Sequence, residues 1–365
     1  MTDLPRAALL ALLLVLGAQD ETKAEGSASV SPMSGDLRVW RGVRKKLEAV
    51  AKPIQLEADD RLGSPKGEPV ILMSDDDIVL SVKGVKVGDK SGLSLVRTTE
   101  GLHVRIQDGS VLVDAFEKPL TIETAGGKVT GKQAYFLVEV KDGVSKVTAI
   151  DGSLTFSNPA GEVKLDGGQE SSAKEGAAPG APRAATVAEP SRDFAPRGAP
   201  ANLVKNPGYE EDPFAGWNKL NPKQPLRALD TKVVGSGKNS MRFTVTPETT
   251  KWVKAPNVTE LESDQFLKLT PGRRYLVRVY VRAQVRKGKC TPVLWVAGVK
   301  SVNPQLAKDD MIFENITCAD AWKMHRTIVT CNKTDGYVGL KVTLDEAAYD
   351  ATVWADDWSM VELPR

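Results

Sequence analysis

From Leu102 onward, apolar and polar residues alternate: Leu102, Val104 and Ile106 are interleaved with His103, Arg105 and Gln107. A period of two sends successive side chains to opposite faces of a strand, so the run predicts a strand with one buried face. Asp108-Gly109 follows, then Val111 and Val113, which predict a tight turn and a returning strand. The pattern recurs at Phe136, Val138 and Val140, closed by Asp142-Gly143. It recurs again at Val147 to Ile150, with Asp151-Gly152 ahead of Leu154 and Phe156, and Asp166-Gly167 ends the series. Asp-Gly suits such turns because glycine takes positive φ without a Cβ clash. Short, evenly spaced strands predict an all-β first half, either a β-sandwich or a β-solenoid-like sheet. Ahead of these strands only Arg44 to Lys52 looks helical.

The second half alternates too. Tyr275, Val277, Val279 and Val281 are interleaved with Leu276, Arg278, Tyr280 and Arg282, and Val338, Leu340, Val342 and Leu344 form a second such run. Pro271-Gly272 predicts the turn that leads into the first of them. Between the halves, residues 171–201 lose all apolar periodicity and are rich in alanine, proline and glycine, a composition that cannot bury a core. The expected organisation is a signal peptide over 1–18, one β domain over 35–170, a linker over 171–201 and a second β domain over 202–365. Few contacts are expected to cross the linker, so the two domains should unfold separately.

The first residues carry an address. Arg6 precedes an apolar run from Ala7 to Gly17, too short to span a bilayer comfortably, and Leu16-Gly17-Ala18 offers small residues before the polar Gln19-Asp20-Glu21. This predicts export to the periplasm, cell envelope or medium, with membrane attachment only if the segment stays uncleaved. At 365 residues the chain has room for two cores, and a net charge of +2 gives no basic excess for nucleic acid. Two histidines, His103 and His325, fall in different halves, which argues against a histidine-based metal or catalytic centre. Gly126 to Lys132 nearly spells a phosphate-binding loop but lacks the following hydroxyl at Gln133, and a strand rather than a helix should follow. Catalysis is therefore not expected. The spacing of Cys290, Cys318 and Cys331 matches no zinc pattern; Cys318 with Cys331 is the preferred disulfide, and three buried free thiols is the alternative. The acidic run Asp75-Asp76-Asp77 reads as a solvated turn.

Two families are resembled. Leu120 to Gly131, Phe136 to Val140, Val147 to Thr155 and Gly168-Gln169 resemble the FecR domain over most of 35–170. The chain departs from that pattern at Lys132-Gln133. It also has only a few residues before the apolar run, so the anti-sigma activity of FecR-type regulators is not implied. Asn202 to Glu210, Gly216-Trp217, Gly235 to Arg242, Leu269 to Tyr275 and Trp354 to Leu363 resemble the galactose-binding-like jelly roll of carbohydrate-binding modules. That resemblance implies a β-sandwich, a glycan or polysaccharide partner and a structural calcium. The ion would be held by the carboxylates of Glu210 and Asp356 and by backbone oxygens of Lys238 and its neighbours.

Six of the seven tryptophans follow the linker. Flat aromatic rings stack on the apolar faces of sugars. Trp217 and Trp358 sit in the resembled motifs and are expected in the core. Trp252, in a polar segment, and then Trp295, on a strand, are the candidate sugar platforms. The expected function is an exported envelope binding or scaffold protein that takes a glycan, with an envelope protein as a second partner. The alternative is a signal-anchored FecR-type sensor without its own anti-sigma segment.

Overall fold

A computed structural model describes residues 27–116, 118–185, 201–211, 216–217, 227–250, 263–301, 307–308, 311–316, 319–344 and 350–363. Its first half comprises β1 (Ala28–Ser34), β2 (Arg38–Arg41), β3 (Lys46–Ala49), β4 (Ile54–Leu56), β5 (Arg61–Gly63), β6 (Val70–Ser74), β7 (Ile78–Lys83), β8 (Ser94–Thr98), β9 (Gly101–Arg105), β10 (Gly109–Ala115), β11 (Leu120–Thr124), β12 (Gly127–Gly131), β13 (Ala134–Lys141), β14 (Val144–Asp151), β15 (Ser153–Asn158), β16 (Gly161–Asp166), β17 (Gln169–Lys174) and β18 (Arg183–Ala184). They form a nine-stranded sheet I, in the order β18-β17-β14-β13-β10-β7-β6-β1-β4, and a six-stranded sheet II, β16-β15-β12-β11-β9-β8. A small third sheet, β3-β2-β5, lies beside them. Val111, Val113, Phe136 and Val138 of sheet I share one core with Leu102, Val104, Ile122 and Phe156 of sheet II. The first half is thus a β-sandwich and not a solenoid.

Two local expectations are corrected. Of the four Asp-Gly turns, Asp142-Gly143 makes a hairpin within one sheet, with positive φ at both residues as a type I′ turn demands. The other three are corners at which the chain changes sheets. β9 pairs with β8 and β11 in sheet II, whereas β10 pairs with β7 and β13 in sheet I. Asp151-Gly152 and Asp166-Gly167 likewise join β14 to β15 and β16 to β17 across the sandwich. Nor is Arg44 to Lys52 helical, since Lys46 to Ala49 pairs with Arg38 to Arg41 as a hairpin. Cross-strand pairing overrides a weak helical preference there.

The second half comprises β19 (Arg227–Asp230), β20 (Ser240–Val245), the helical turn α1 (Pro247–Thr250), β21 (Ser263–Lys268), β22 (Arg274–Lys287), β23 (Cys290–Ala297), β24 (Val299–Ser301), β25 (Ala307–Lys308), β26 (Met311–Asn315), β27 (Lys323–Cys331), β28 (Asp335–Leu344) and β29 (Asp350–Glu362). Sheet III runs β19-β20-β29-β22-β27-β24 and sheet IV β21-β28-β23-β26-β25. Phe243, Val277, Val279 and Val353 of sheet III meet Leu294, Val296, Val338 and Leu340 of sheet IV in a second core. This is the expected jelly-roll type of β-sandwich. Within the expected linker, β17 continues to Lys174, and Arg183–Ala184 pairs with it as β18, so both belong to sheet I. Residues 186–200 lie outside the described residues.

The expectation that few contacts cross between the halves is not met. Sheets I and III pack face to face, which stacks the four sheets in the order II, I, III, IV. On one side of this interface Leu112, Tyr135 and Leu137 meet Tyr280 and Met324. On the other side Met73 and Val79 meet Leu276, Ile328 and Leu363. Between these patches lies Asp114 of β10, 1% exposed. Arg278 donates to its Oδ2 from Nε at 3.1 Å and Nη2 at 2.6 Å. Arg326 Nε stands 2.5 Å from its Oδ1, and Arg326 also pairs with Asp151 at 2.9 Å. Both guanidinium groups lie over the ring of Tyr135, at 5.7 and 5.9 Å from its centre.

Removing one partner of a buried ion pair strands the other charge and costs about 3–5 kcal/mol. Asp114→Ala should lower the unfolding free energy by that amount, measured by denaturant titration. With a protease site inserted between Ala185 and Ala201, the cut wild-type halves should co-elute on a sizing column, and the Asp114→Ala halves should separate.

Candidate functional site

Alternation along sheet IV decides which side chains reach its outer face. Leu267, Val338, Leu340, Leu294 and Val296 point into the core, so their neighbours Phe266, Tyr337 and Trp295 point away from it. Phe266 stands opposite Tyr337 in the β21–β28 register. Trp295 stands opposite Gly339, which has no side chain to cover it. The Phe266 and Tyr337 rings meet edge-on, centres 5.4 Å apart at 70°. Trp295 and Tyr337 are nearly parallel, 6.2 Å apart at 13°. Phe266 is 45% exposed and Tyr337 36%, whereas Trp295 is only 7% exposed. Lys268 caps the strip, with Nζ 5.0 Å from the Phe266 ring centre and 2.5 Å from Asp335 Oδ1.

Of the two expected platforms, Trp295 therefore forms the floor of an aromatic strip, and Trp252 lies outside the described residues. The rings that face solvent, Phe266 and Tyr337, were not singled out from the sequence. Their signal was present, since each occupies the outward position in a run whose other positions are core. Trp217 and Trp358 are buried as expected, packed against each other with centres 5.3 Å apart.

The acidic corner brings distant residues together. Glu210 Oε1 accepts from the backbone N–H of Lys238 at 2.7 Å and of Asn239 at 3.2 Å. Asp356 Oδ2 accepts from Gly235 N at 3.0 Å and Ser236 N at 3.1 Å, and Asp357 N donates to its Oδ1 at 2.8 Å. Both carboxylates also border Gly208. A Cβ there would lie 3.5 Å from Glu210 Cγ and 3.6 Å from Asp356 Oδ1. Asn206, Tyr209 and Asp357 take positive φ in this corner, a strained conformation for a tyrosine. Asp356 is wholly buried, and burial, with Asp357 adding to it, pushes its pKa up to about 7.

The two carboxylates suit a hard cation, but the 235–239 loop turns N–H groups toward them where calcium takes oxygen. Lys238 thus offers an N–H donor, not the expected carbonyl. Among the described residues no group of three or more His, Cys, Asp or Glu side chains is placed to hold a metal ion. Cys331 is a buried thiol whose Sγ donates to the Lys333 carbonyl at 2.7 Å, Cys290 is also buried, and neither forms a disulfide among the described residues. Cys318 lies outside the described residues. His103 on β9 and His325 on β27 are separated by sheet I.

No protein-family profile matches the chain, and no curated protein matches it. Solved structures do match, with low scores. One is a family 61 carbohydrate-binding module in complex with β-1,4-galactotriose, at 15% identity, covering 45% of this chain and 99% of that one, TM-score 0.32. Another is a family 16 carbohydrate-binding module, at 14% identity over 44% and 99%, TM-score 0.31. A candidate anti-sigma factor from Parabacteroides distasonis matches at 14% identity over 36% of this chain and 63% of that one, TM-score 0.29. The all-β sandwich fold of this chain stands on its own strand order and cores.

The acidic corner predicts a pH dependence. With a folded pKa near 7 and an unfolded value near 3.9, Asp356 holds a proton in the folded state that the unfolded state releases. Stability should therefore fall as pH rises from about 4 to about 7. His325 acts in the opposite sense. Burial lowers its pKa to about 4, so its contribution is full above about 6.5 and is lost as pH falls toward 4. Thermal melts with chelator across this range should show a shallow net slope. Asp356→Asn should then gain stability steadily with rising pH, because the histidine is no longer opposed.

Proposed function

We propose that the chain is an exported glycan-binding protein of the cell envelope, and that a polysaccharide lies across the outer face of sheet IV. The observation that carries this reading is the pair of exposed, mutually inclined rings Phe266 and Tyr337, held in register by two paired strands over the buried Trp295. Exposed aromatics fixed by a sheet give flat apolar surfaces with little conformational entropy left to lose, which is what the C–H faces of sugar rings need. Lys268 and Asp335 at the rim supply a donor and an acceptor for hydroxyl groups. The resemblance of 202–365 to carbohydrate-binding modules supports the same reading. The first half, which resembles the FecR domain in sequence, serves as the rigid mount, and catalysis has no part in the proposal.

Isothermal titration against a panel of neutral polysaccharides tests it. Tyr337→Ala and Phe266→Ala should each weaken binding about three- to tenfold, from the roughly 0.5–1.5 kcal/mol that such rings contribute, with melting unchanged. Trp295→Ala should instead destabilise the fold by about 3–5 kcal/mol, since its ring is buried. Full-strength binding by both surface variants would sink the proposal.

We further propose a structural calcium at Glu210 and Asp356. Support comes from the buried Asp356 carboxyl, whose ionised form is disfavoured by burial and by Asp357 and would be stabilised by a cation. Binding requires that the 235–239 loop turn carbonyl oxygens inward. An ion that binds only the folded state raises its melting temperature. Calcium should do so for the wild type and not for Glu210→Ala, and a melt indifferent to chelator would leave the proton as the neutralising species.

A further inference from the structure

The tip of the β2–β3 hairpin has a surface that neither core nor glycan strip explains. Its turn reads Gly42-Val43-Arg44-Lys45, and Val43 at the apex is 73% exposed. A bare β-branched side chain is an unusual choice there, because turns favour Gly, Asn, Asp, Pro and Ser. Apolar surface continues from it. Val39 and Leu62 of the small sheet point into the core. Trp40 and Leu47, paired in register, lie on the opposite face, with Trp40 half-buried and Leu47 38% exposed.

Cations surround this apolar tip. Arg44, Lys45 and Lys46 are all exposed, and Arg44 makes no ion pair with any described residue. Lys45 reaches Asp89 at 3.3 Å, and Asp89 lies in an exposed turn between Lys86 and Lys90. Lys46 reaches Glu48 at 3.6 Å. Five cations thus face three carboxylates, Glu48, Asp89 and the exposed Asp59 that adjoins Gly42, a local excess of two positive charges. Arg41 adds nothing to this excess because the buried Asp60 neutralises it at 2.5 Å.

We propose that this tip docks the protein on an anionic lipid bilayer, with Val43 and Leu47 entering the boundary between headgroups and acyl chains. A tryptophan behind an apolar tip, ringed by lysine and arginine, is the combination that the bilayer interface favours. An acidic polysaccharide would satisfy the cations but give no return for an exposed valine. The site is separate from the aromatic strip, which lies on sheet IV of the other half, so either can fail without the other.

Co-sedimentation with vesicles tests the proposal, using the chain from Gln19 onward, which keeps every described residue and omits the apolar leader. It should pellet with mixed phosphatidylcholine–phosphatidylglycerol vesicles and not with pure phosphatidylcholine, and added salt should release it. At about fivefold per charge, Arg44→Gln with Lys45→Gln should weaken binding about 25-fold. Val43→Asp should weaken it as well. These side chains are exposed, so circular dichroism and melting should be unchanged in all variants. Equal binding to neutral vesicles, binding indifferent to the variants, or capture by polygalacturonate with no vesicle binding would each overturn it.

Discussion

The carboxylate of Asp114 sits between the guanidinium groups of Arg278 and Arg326, and the arrangement of the whole chain depends on that contact. The two apolar patches beside it supply the driving force for sheets I and III to meet. Hydrophobic contact is non-directional, however, and would tolerate a sliding register. The ion pairs do not tolerate it. A slip by one strand repeat would bury Asp114 away from both arginines, at the cost of several kcal/mol. The charges thus select one register from the many that apolar contact alone would allow.

That register sets what each face is free to do. Sheet I is covered by sheet II on one side and by sheet III on the other, and sheet III by sheets I and IV. β22 shows the result within one strand, where Val277 and Val279 enter the jelly-roll core while Leu276, Arg278 and Tyr280 enter the interface. Sheet IV keeps an open outer face, and there the exposed aromatic pair is found. The outer face of sheet IV is held at a fixed angle to the first half, because sheets III and I pack directly against each other. The basic hairpin tip, on the small sheet of the first half, is carried by the same rigid stack.

The acidic corner follows a similar logic on a smaller scale. Glu210 near the start of the second half and Asp356 near its end are both tied to the 235–239 loop, which closes the sandwich edge. Burial there makes charge expensive, which raises the pKa of Asp356 to about 7.

Much of this was legible in the alternation itself. Period-two runs gave the strands at Gly101–Arg105, Ala134–Lys141, Arg274–Lys287 and Asp335–Leu344, because the pleat alone sends neighbouring side chains to opposite faces. The same runs made the chain all-β, and the resemblance of the second half implied a shared corner for Glu210 and Asp356, which the structure ties to one loop. Asp-Gly marked where the chain turns but not which sheet it turns into, since Gly143 in the hairpin and Gly109 and Gly152 at two of the corners all take positive φ. Arg278 alternates with core valines, and only the tertiary packing against Asp114 turns its face of the strand into an interface, where it is half-buried. The apolar neighbours of Asp114, and the unbroken run Tyr135 to Val138, were the one hint that both faces of sheet I are covered. Which ring faces solvent was likewise a tertiary decision. Trp295, Phe266 and Tyr337 share one outward face, but the packing of three strands buries the first and leaves the other two exposed. Alternation is written residue by residue into the chain, while exposure is decided by what the rest of the molecule brings against each face.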